Sequence, residues 1–177
     1  MLMALVSACR GSELQAADIG AFVDSGDKLE FKIGKLTKSK RPNKPHFNLV
    51  FRQYMENPKL DVIDAIRTYM SRTEQWRGLK SNKPKLQLFL ATIKPHNPVA
   101  TCTIARWLKL LLAECGVDTQ EYKAHSTRAA ATSKAKQQGL SVEQIIDRGN
   151  WAKAKTFGKF YDKQVEKIDL FQQALFK

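Results

Sequence analysis

Acidic residues are scarce in this chain. Seventeen Asp plus Glu stand against thirty Lys plus Arg, a formal charge of +13 over 177 residues, and the bases are spread along the chain rather than confined to one tail. A polyanionic partner is the natural inference. Long apolar runs are also missing: nothing approaches the roughly 18 residues that a transmembrane helix needs, and no basic amphipathic segment dominates, so nucleic acid is favoured over an anionic membrane. Cysteine is sparse. Cys9, Cys102 and Cys115 are odd in number and far apart, with no CxxC pair and no His/Cys cluster, so they read as reduced thiols of an intracellular protein and supply neither a disulfide framework nor a zinc site. The apolar opening MLMALVSAC has no basic flank and runs straight into charge, which argues against a signal peptide. It reads as the tail of a buried helix whose beginning is absent. There is no internal repeat and no low-complexity tract, and the length suits one domain with one sizeable core.

The local patterns suggest a fold that is mainly α with a small antiparallel β-sheet (α+β). From Leu2 to Ala17 the pattern is helical, broken near Gly11 and Ser12, and Arg10 sits at the break. Two strand-like pieces follow, Ile19 to Val23 and Leu29 to Ile33, separated by Asp24-Ser25-Gly26-Asp27, which is hairpin turn chemistry. The basic stretch KLTKSKRPNKPH leads into a third strand, FNLVF, and places Lys38, Lys40 and Arg41 on a loop at the sheet edge. Asp61 can cap a helix whose Val62, Ala65, Ile66 and Tyr69 share a face. LQLFLAT is a short buried piece. Ile104, Trp107, Leu108, Leu111 and Leu112 define a core helix stopped by Gly116. An Ala-rich helix from Ser126 to Gln138, with Gly139 after it, puts His125 and Arg128 at a helix N-terminus, where an anion is welcome. Ser141 and Gln144 form a capping box for a short helix that ends near Gly149, and Trp151 follows. In the last stretch Val165, Ile168, Phe171 and Leu175 make one apolar stripe.

Arg10, then His125 and Arg128 in HSTR, then Trp151, then Tyr161 in KTFGKFYDK form an ordered set. Exchange of a phosphodiester needs a nucleophile, donors for the non-bridging oxygens and a proton source for the leaving oxygen. Arginine donates two parallel hydrogen bonds to a phosphate, and its field stabilises the anion of a phenol whose reference pKa is about 10. Each residue also has a plain structural reading. Arg10 could pair with Glu13 on a helix surface, His125 could cap a helix, Trp151 could be core, and the basic loop could simply be solvated.

ACRGSEL, HSTRAAATSKAKQQGLSVEQIIDRGNW and KTFGKFYDK together resemble the catalytic domain of the tyrosine recombinase (phage integrase) family, especially the forms carried by eukaryotic mobile elements. The resemblance covers nearly the whole chain. It implies that Arg10 and Arg128 clamp a phosphate, that Glu13 orients the site, and that His125 is the acid/base partner. Trp151 would occupy the family's His/Trp position against the phosphate, and Tyr161 would attack to give a 3′-phosphotyrosine. A hairpin-loop lysine would protonate the leaving 5′ oxygen; Lys38 is the first choice and Lys35 the alternate, with Lys35, Lys40 and Arg41 as DNA contacts. No cofactor and no metal are implied. The partner would be DNA, bound by a tetramer assembled through the C-terminal helix, inside the cell and in the nucleus of a eukaryote. The family's N-terminal DNA-clamping domain and the start of the first helix are expected to be absent. The main alternative is a catalytically silent DNA-binding remnant of such an enzyme. A small RNA-binding protein would show aromatics interleaved with bases on a sheet, whereas these aromatics fall at helical core spacing. A related topoisomerase shares the chemistry but fits the length and the HSTR and Trp151 pattern less well.

Overall fold

The computed structural model describes residues 1–33, 48–151 and 154–161. Its elements are α1 (Leu2–Ser7), α2 (Gly11–Gln15), β1 (Phe22–Asp24), β2 (Lys28–Lys32), β3 (Asn48–Arg52), α3 (Val62–Arg77), α4 (Thr101–Glu114), α5 (Ser126–Gln137), α6 (Val142–Arg148) and α7 (Ala154–Phe160). Helices with a small antiparallel sheet are what the sequence suggests. Lys35, Lys38, Lys40 and Arg41 lie outside the described residues, as does the apolar stripe from Val165 to Leu175.

The sheet runs β1-β2-β3, with Leu29 opposite Phe51 and Phe31 opposite both Phe22 and Leu49. Period-two alternation sends Leu29, Phe31, Leu49 and Phe51 into the core. Phe31 stacks on Phe22 and meets Phe51 edge-on. The β1–β2 turn closes as expected, with the Asp24 carboxylate accepting the Gly26 N–H at 2.9 Å and Gly26 at φ 84°. One strand is shorter than its pattern implies. Ile19–Ala21 is a 3₁₀ turn, because the Asp18 side chain accepts the Gly20 N–H and draws the chain inward before the strand begins at Phe22.

Asp61 caps α3 by accepting the Ile63 N–H at 2.8 Å, and Gly78 ends the helix at φ 58°. Leu88 and Leu90 are buried, Leu88 within the main apolar core. Their segment is tied to the end of α2, since the Leu88 N–H donates to the Ala17 carbonyl and the Ile19 N–H to the Leu86 carbonyl. On α4, Ile104 and Leu108 are buried and Trp107 packs half-buried on the same core, but Leu111 is exposed. The apolar stripe of that helix is wider than the surface it meets.

Two apolar clusters result. The larger joins α1, α2, the sheet, α3 and α4; the smaller consists of Ile145, Trp151 and Phe157, with Tyr161 packed against it. α1 packs on α5, α2 packs on α4, and Arg148 donates twice to the Val6 carbonyl, which fastens α6 to α1. No helix among the described residues is long and apolar enough to cross a membrane.

Candidate active site

Arg10 stands at the N-cap of α2 with extended backbone (φ −79°, ψ 153°). Three residues on, Glu13 turns back to it: Oε2 accepts the Arg10 backbone N–H at 2.6 Å, and Oε1 accepts from Arg10 Nη1 at 3.0 Å. Glu13 is not a surface partner. It is completely buried, and its carboxylate also accepts from Asn150 Nδ2 at 3.4 Å and lies 3.9 Å from Arg128 Nη1. A charge so placed is tolerable only among cations and donors, and these supply them.

Arg128 lies in the first turn of α5 and is 4% exposed. Its Nη2 donates to the Gly149 carbonyl. Its guanidinium carbon stands 3.7 Å from the centre of the Trp151 ring and 5.1 Å from that of Tyr161. Burial first, and then the nearby charge of Arg10, lower its pKa to about 10, so it remains a cation at neutral pH. Nε and Nη1 have no hydrogen-bond partner. These are strong donors whose hydrogen-bonding capacity the described residues leave unused.

The end of α6 delivers Trp151 to this arrangement. The Trp151 N–H donates to the Ile146 carbonyl and the Asn150 N–H to the Asp147 carbonyl, with Asn150 in the left-handed region at φ 51°. This is a helix stop of the Schellman type, with Asn in the position where Gly is commonest. Trp151 is 1% exposed, packed edge-on against Phe157 and Tyr161. Tyr161 follows α7 directly; its N–H donates to the Phe157 carbonyl, and its own carbonyl accepts from Ser133 Oγ on α5 at 2.9 Å. His125 is exposed, one residue before α5, at the end of a turn in which the Ser126 N–H donates to the Lys123 carbonyl.

A cleft of about 530 Å³ brings these segments together: Arg10, His125, Arg128 and Tyr161 all line it. The sequence order therefore becomes a spatial cluster. Trp151 does not line the cleft; it lies beneath Arg128 and supports it. The buried Cys9 also lines the wall, its thiol pushed up to about 12 by burial.

No family model and no curated protein matches the sequence. Solved structures do match the fold. A XerA recombinase superposes with a TM-score of 0.65 at 16% identity, covering 97% of this chain and 52% of that one. XerH site-specific recombinase bound to its difH substrate, in a pre-cleavage complex, gives 0.63 at 12% identity over 98% of this chain and 44% of that one. The fold is that of the tyrosine recombinase catalytic domain. The Tn1549 transposon integrase in complex with a circular intermediate DNA shares it at a TM-score of 0.61 and 9% identity, over 98% of this chain and 56% of that one. The chain spans about half the length of these structures.

Within this tyrosine recombinase fold, sequence reasoning missed two groups. Arg106 and Lys109 of α4, with Lys123, form a basic side of the cleft; the i, i+3 spacing of the first two on the polar side of an apolar helix was the available signal. Asn150 was the other. Its only sequence clue is an Asn directly after the Gly that ends a helix. Among the described residues, no group of three or more His, Cys, Asp or Glu could hold a metal ion.

Proposed function

We propose that this chain is the catalytic domain of a DNA recombinase that cleaves and rejoins strands through a covalent tyrosine intermediate. The observation that carries this reading is the convergence of Arg10, His125, Arg128 and Tyr161, from four separate segments, on one cleft. Arg10 and Arg128 bind the non-bridging oxygens of the scissile phosphate. Glu13 holds the first guanidinium, and Trp151 supports the second.

The Tyr161 hydroxyl attacks phosphorus and passes its proton to His125. The bond from phosphorus to the 5′ oxygen breaks, and that oxygen takes a proton from Lys38, or from Lys35 as the alternate. The 3′-phosphotyrosine conserves the bond. A 5′ hydroxyl from a second strand then attacks phosphorus and returns its proton to that lysine, the bond from phosphorus to the tyrosine oxygen breaks, and the phenolate regains its proton from His125. Removing a single donor to developing charge commonly costs about 10²- to 10³-fold in rate. Exchange between two duplexes needs several protomers on DNA, with the C-terminal segment after Tyr161 as the contact between them, and the protein acts where DNA is held, in the nucleus of a eukaryote. Lys40 and Arg41 would add phosphate contacts, making affinity fall steeply with salt.

The test is covalent trapping on nicked suicide DNA substrates. An adduct that maps to Tyr161 and is lost in Tyr161→Phe establishes nucleophile and reaction class together. Absence of any adduct, with salt-sensitive DNA binding retained, identifies a catalytically silent DNA-binding protein instead.

A further inference from the structure

Asn150 does more than turn the chain at the end of α6. A residue at φ 51° is best served by glycine, which adopts that conformation without steric cost. Asparagine brings a side-chain amide as well. This one is buried, at 8% exposure, and its nitrogen donates to Glu13 Oε1 across 137 residues of sequence.

The two ends of that hydrogen bond hold different arginines. Glu13 fixes Arg10 through its backbone N–H and its guanidinium. The residues on either side of Asn150 fix Arg128: the Gly149 carbonyl accepts from Nη2, and the Trp151 ring lies 3.7 Å from the guanidinium carbon. We infer that Asn150 is a positioning residue that sets the separation of Arg10 and Arg128 by tying Glu13 to the turn carrying both Arg128 contacts. At 3.4 Å the bond is long, as hydrogen bonds of unliganded sites often are before the reacting group draws them in. The consequence for catalysis rests on the recombinase reading above; the consequence for anion binding does not.

Asn150→Gly tests the inference, because it keeps the left-handed backbone and removes only the amide. Three quantities are measured: the thermal midpoint, the affinity for inorganic phosphate by calorimetry, and the rate of adduct formation on nicked suicide DNA. The expected result is at most a small fall in the midpoint, since glycine at φ 51° offsets part of the lost hydrogen bond, with unchanged overall DNA affinity, weaker phosphate binding and adduct formation slower by up to about 10²-fold, the loss associated with a misplacement near 1 Å. In a Glu13→Gln background the same substitution should add little, since both changes break one link.

Phosphate affinity equal to that of the unsubstituted protein overturns the inference. So does a thermal midpoint that falls in step with phosphate binding, because the amide then serves the fold rather than the site. Full additivity with Glu13→Gln also overturns it. If the unsubstituted protein forms no adduct at all, the recombinase reading fails, and phosphate affinity and its coupling to Glu13 still decide the role of Asn150.

Discussion

The guanidinium carbon of Arg128 lies 3.7 Å from the centre of the Trp151 ring, while its Nε and Nη1 are buried without hydrogen-bond partners. A desolvated cation over an indole gains about 2 kcal/mol, and each buried unpaired donor costs about 1–3 kcal/mol. The guanidinium thus keeps donor capacity that an anion bound in the cleft would use. Phosphate or sulfate should raise the thermal midpoint, by an amount equivalent to about 2.7 kcal/mol at a hundred times the dissociation constant. Thermal denaturation of Arg128→Ala should show no such shift.

Gly149 has no room for a side chain. A Cβ there would sit 1.7 Å from a Trp151 ring carbon. Gly149→Ala must therefore displace the indole from beneath Arg128, at a cost of about 1–3 kcal/mol typical of overpacking. Denaturant unfolding should report the loss, and tryptophan fluorescence the movement.

Cys9 is buried, and burial pushes its thiol up to about 12, whereas Cys102 and Cys115 are exposed. Thiolate is the reactive form. Alkylation of the native protein at pH 8 should therefore modify Cys102 and Cys115 quickly and leave Cys9 until denaturant is added. Peptide mapping by mass spectrometry distinguishes the three sites.

Arg67 grips the β1–β2 turn, donating to Asp24 Oδ1 at 2.5 Å, to Oδ2 at 3.0 Å and to the Gly26 carbonyl at 2.7 Å. Hydrogen bonds from Arg67, then from the Gly26 N–H, hold the Asp24 carboxyl below its usual value. A carboxylate depressed by folding adds stability that is fully present above its unfolded pKa of about 3.9 and disappears as pH falls through the folded value. Asp24→Asn should accordingly be slightly less stable than the unsubstituted protein at pH 7, the effect being small because solvent screens so exposed a pair. The difference should vanish in acid below the depressed pKa, as unfolding measured across that range will show.

Arg77 is buried at the end of α3 and donates to the carbonyls of Gln87 and Leu88 at 2.8 and 2.9 Å and to Thr73 Oγ1 at 2.8 Å. It pins the segment whose Leu88 N–H reaches the Ala17 carbonyl just beyond α2. Arg77→Ala leaves several buried acceptors without donors, and loss of about 3 kcal/mol or more is expected in equilibrium unfolding.

Local chemistry was readable where partners lie within a few residues of each other. The Asp61 cap, the Ser141 and Gln144 capping box and the turn after Asp24 all form hydrogen bonds over two or three positions. The same local chemistry misled at Ile19, where an apolar stretch before a turn suggested a strand but the Asp18 carboxylate accepts the Gly20 N–H and a 3₁₀ turn forms. Leu111 was misjudged for a different reason. Helical periodicity identifies a face, but only the neighbouring elements decide how much of that face is covered.

By itself the sequence determined the helices from α1 to α6 and the hairpin, the excess of positive charge, and the order in which Arg10, His125, Arg128, Trp151 and Tyr161 occur. Only the tertiary structure decided that Arg10, His125, Arg128 and Tyr161 share one cleft and that Trp151 lies behind it. It also made Glu13 a buried hub between Arg10, Asn150 and Arg128 rather than one half of a surface ion pair. Caps and turns are set by atoms a few bonds apart along the chain. Burial and the meeting of charges separated by more than a hundred residues are set by the packing of α2, α5 and α6 together, which no local window of sequence contains.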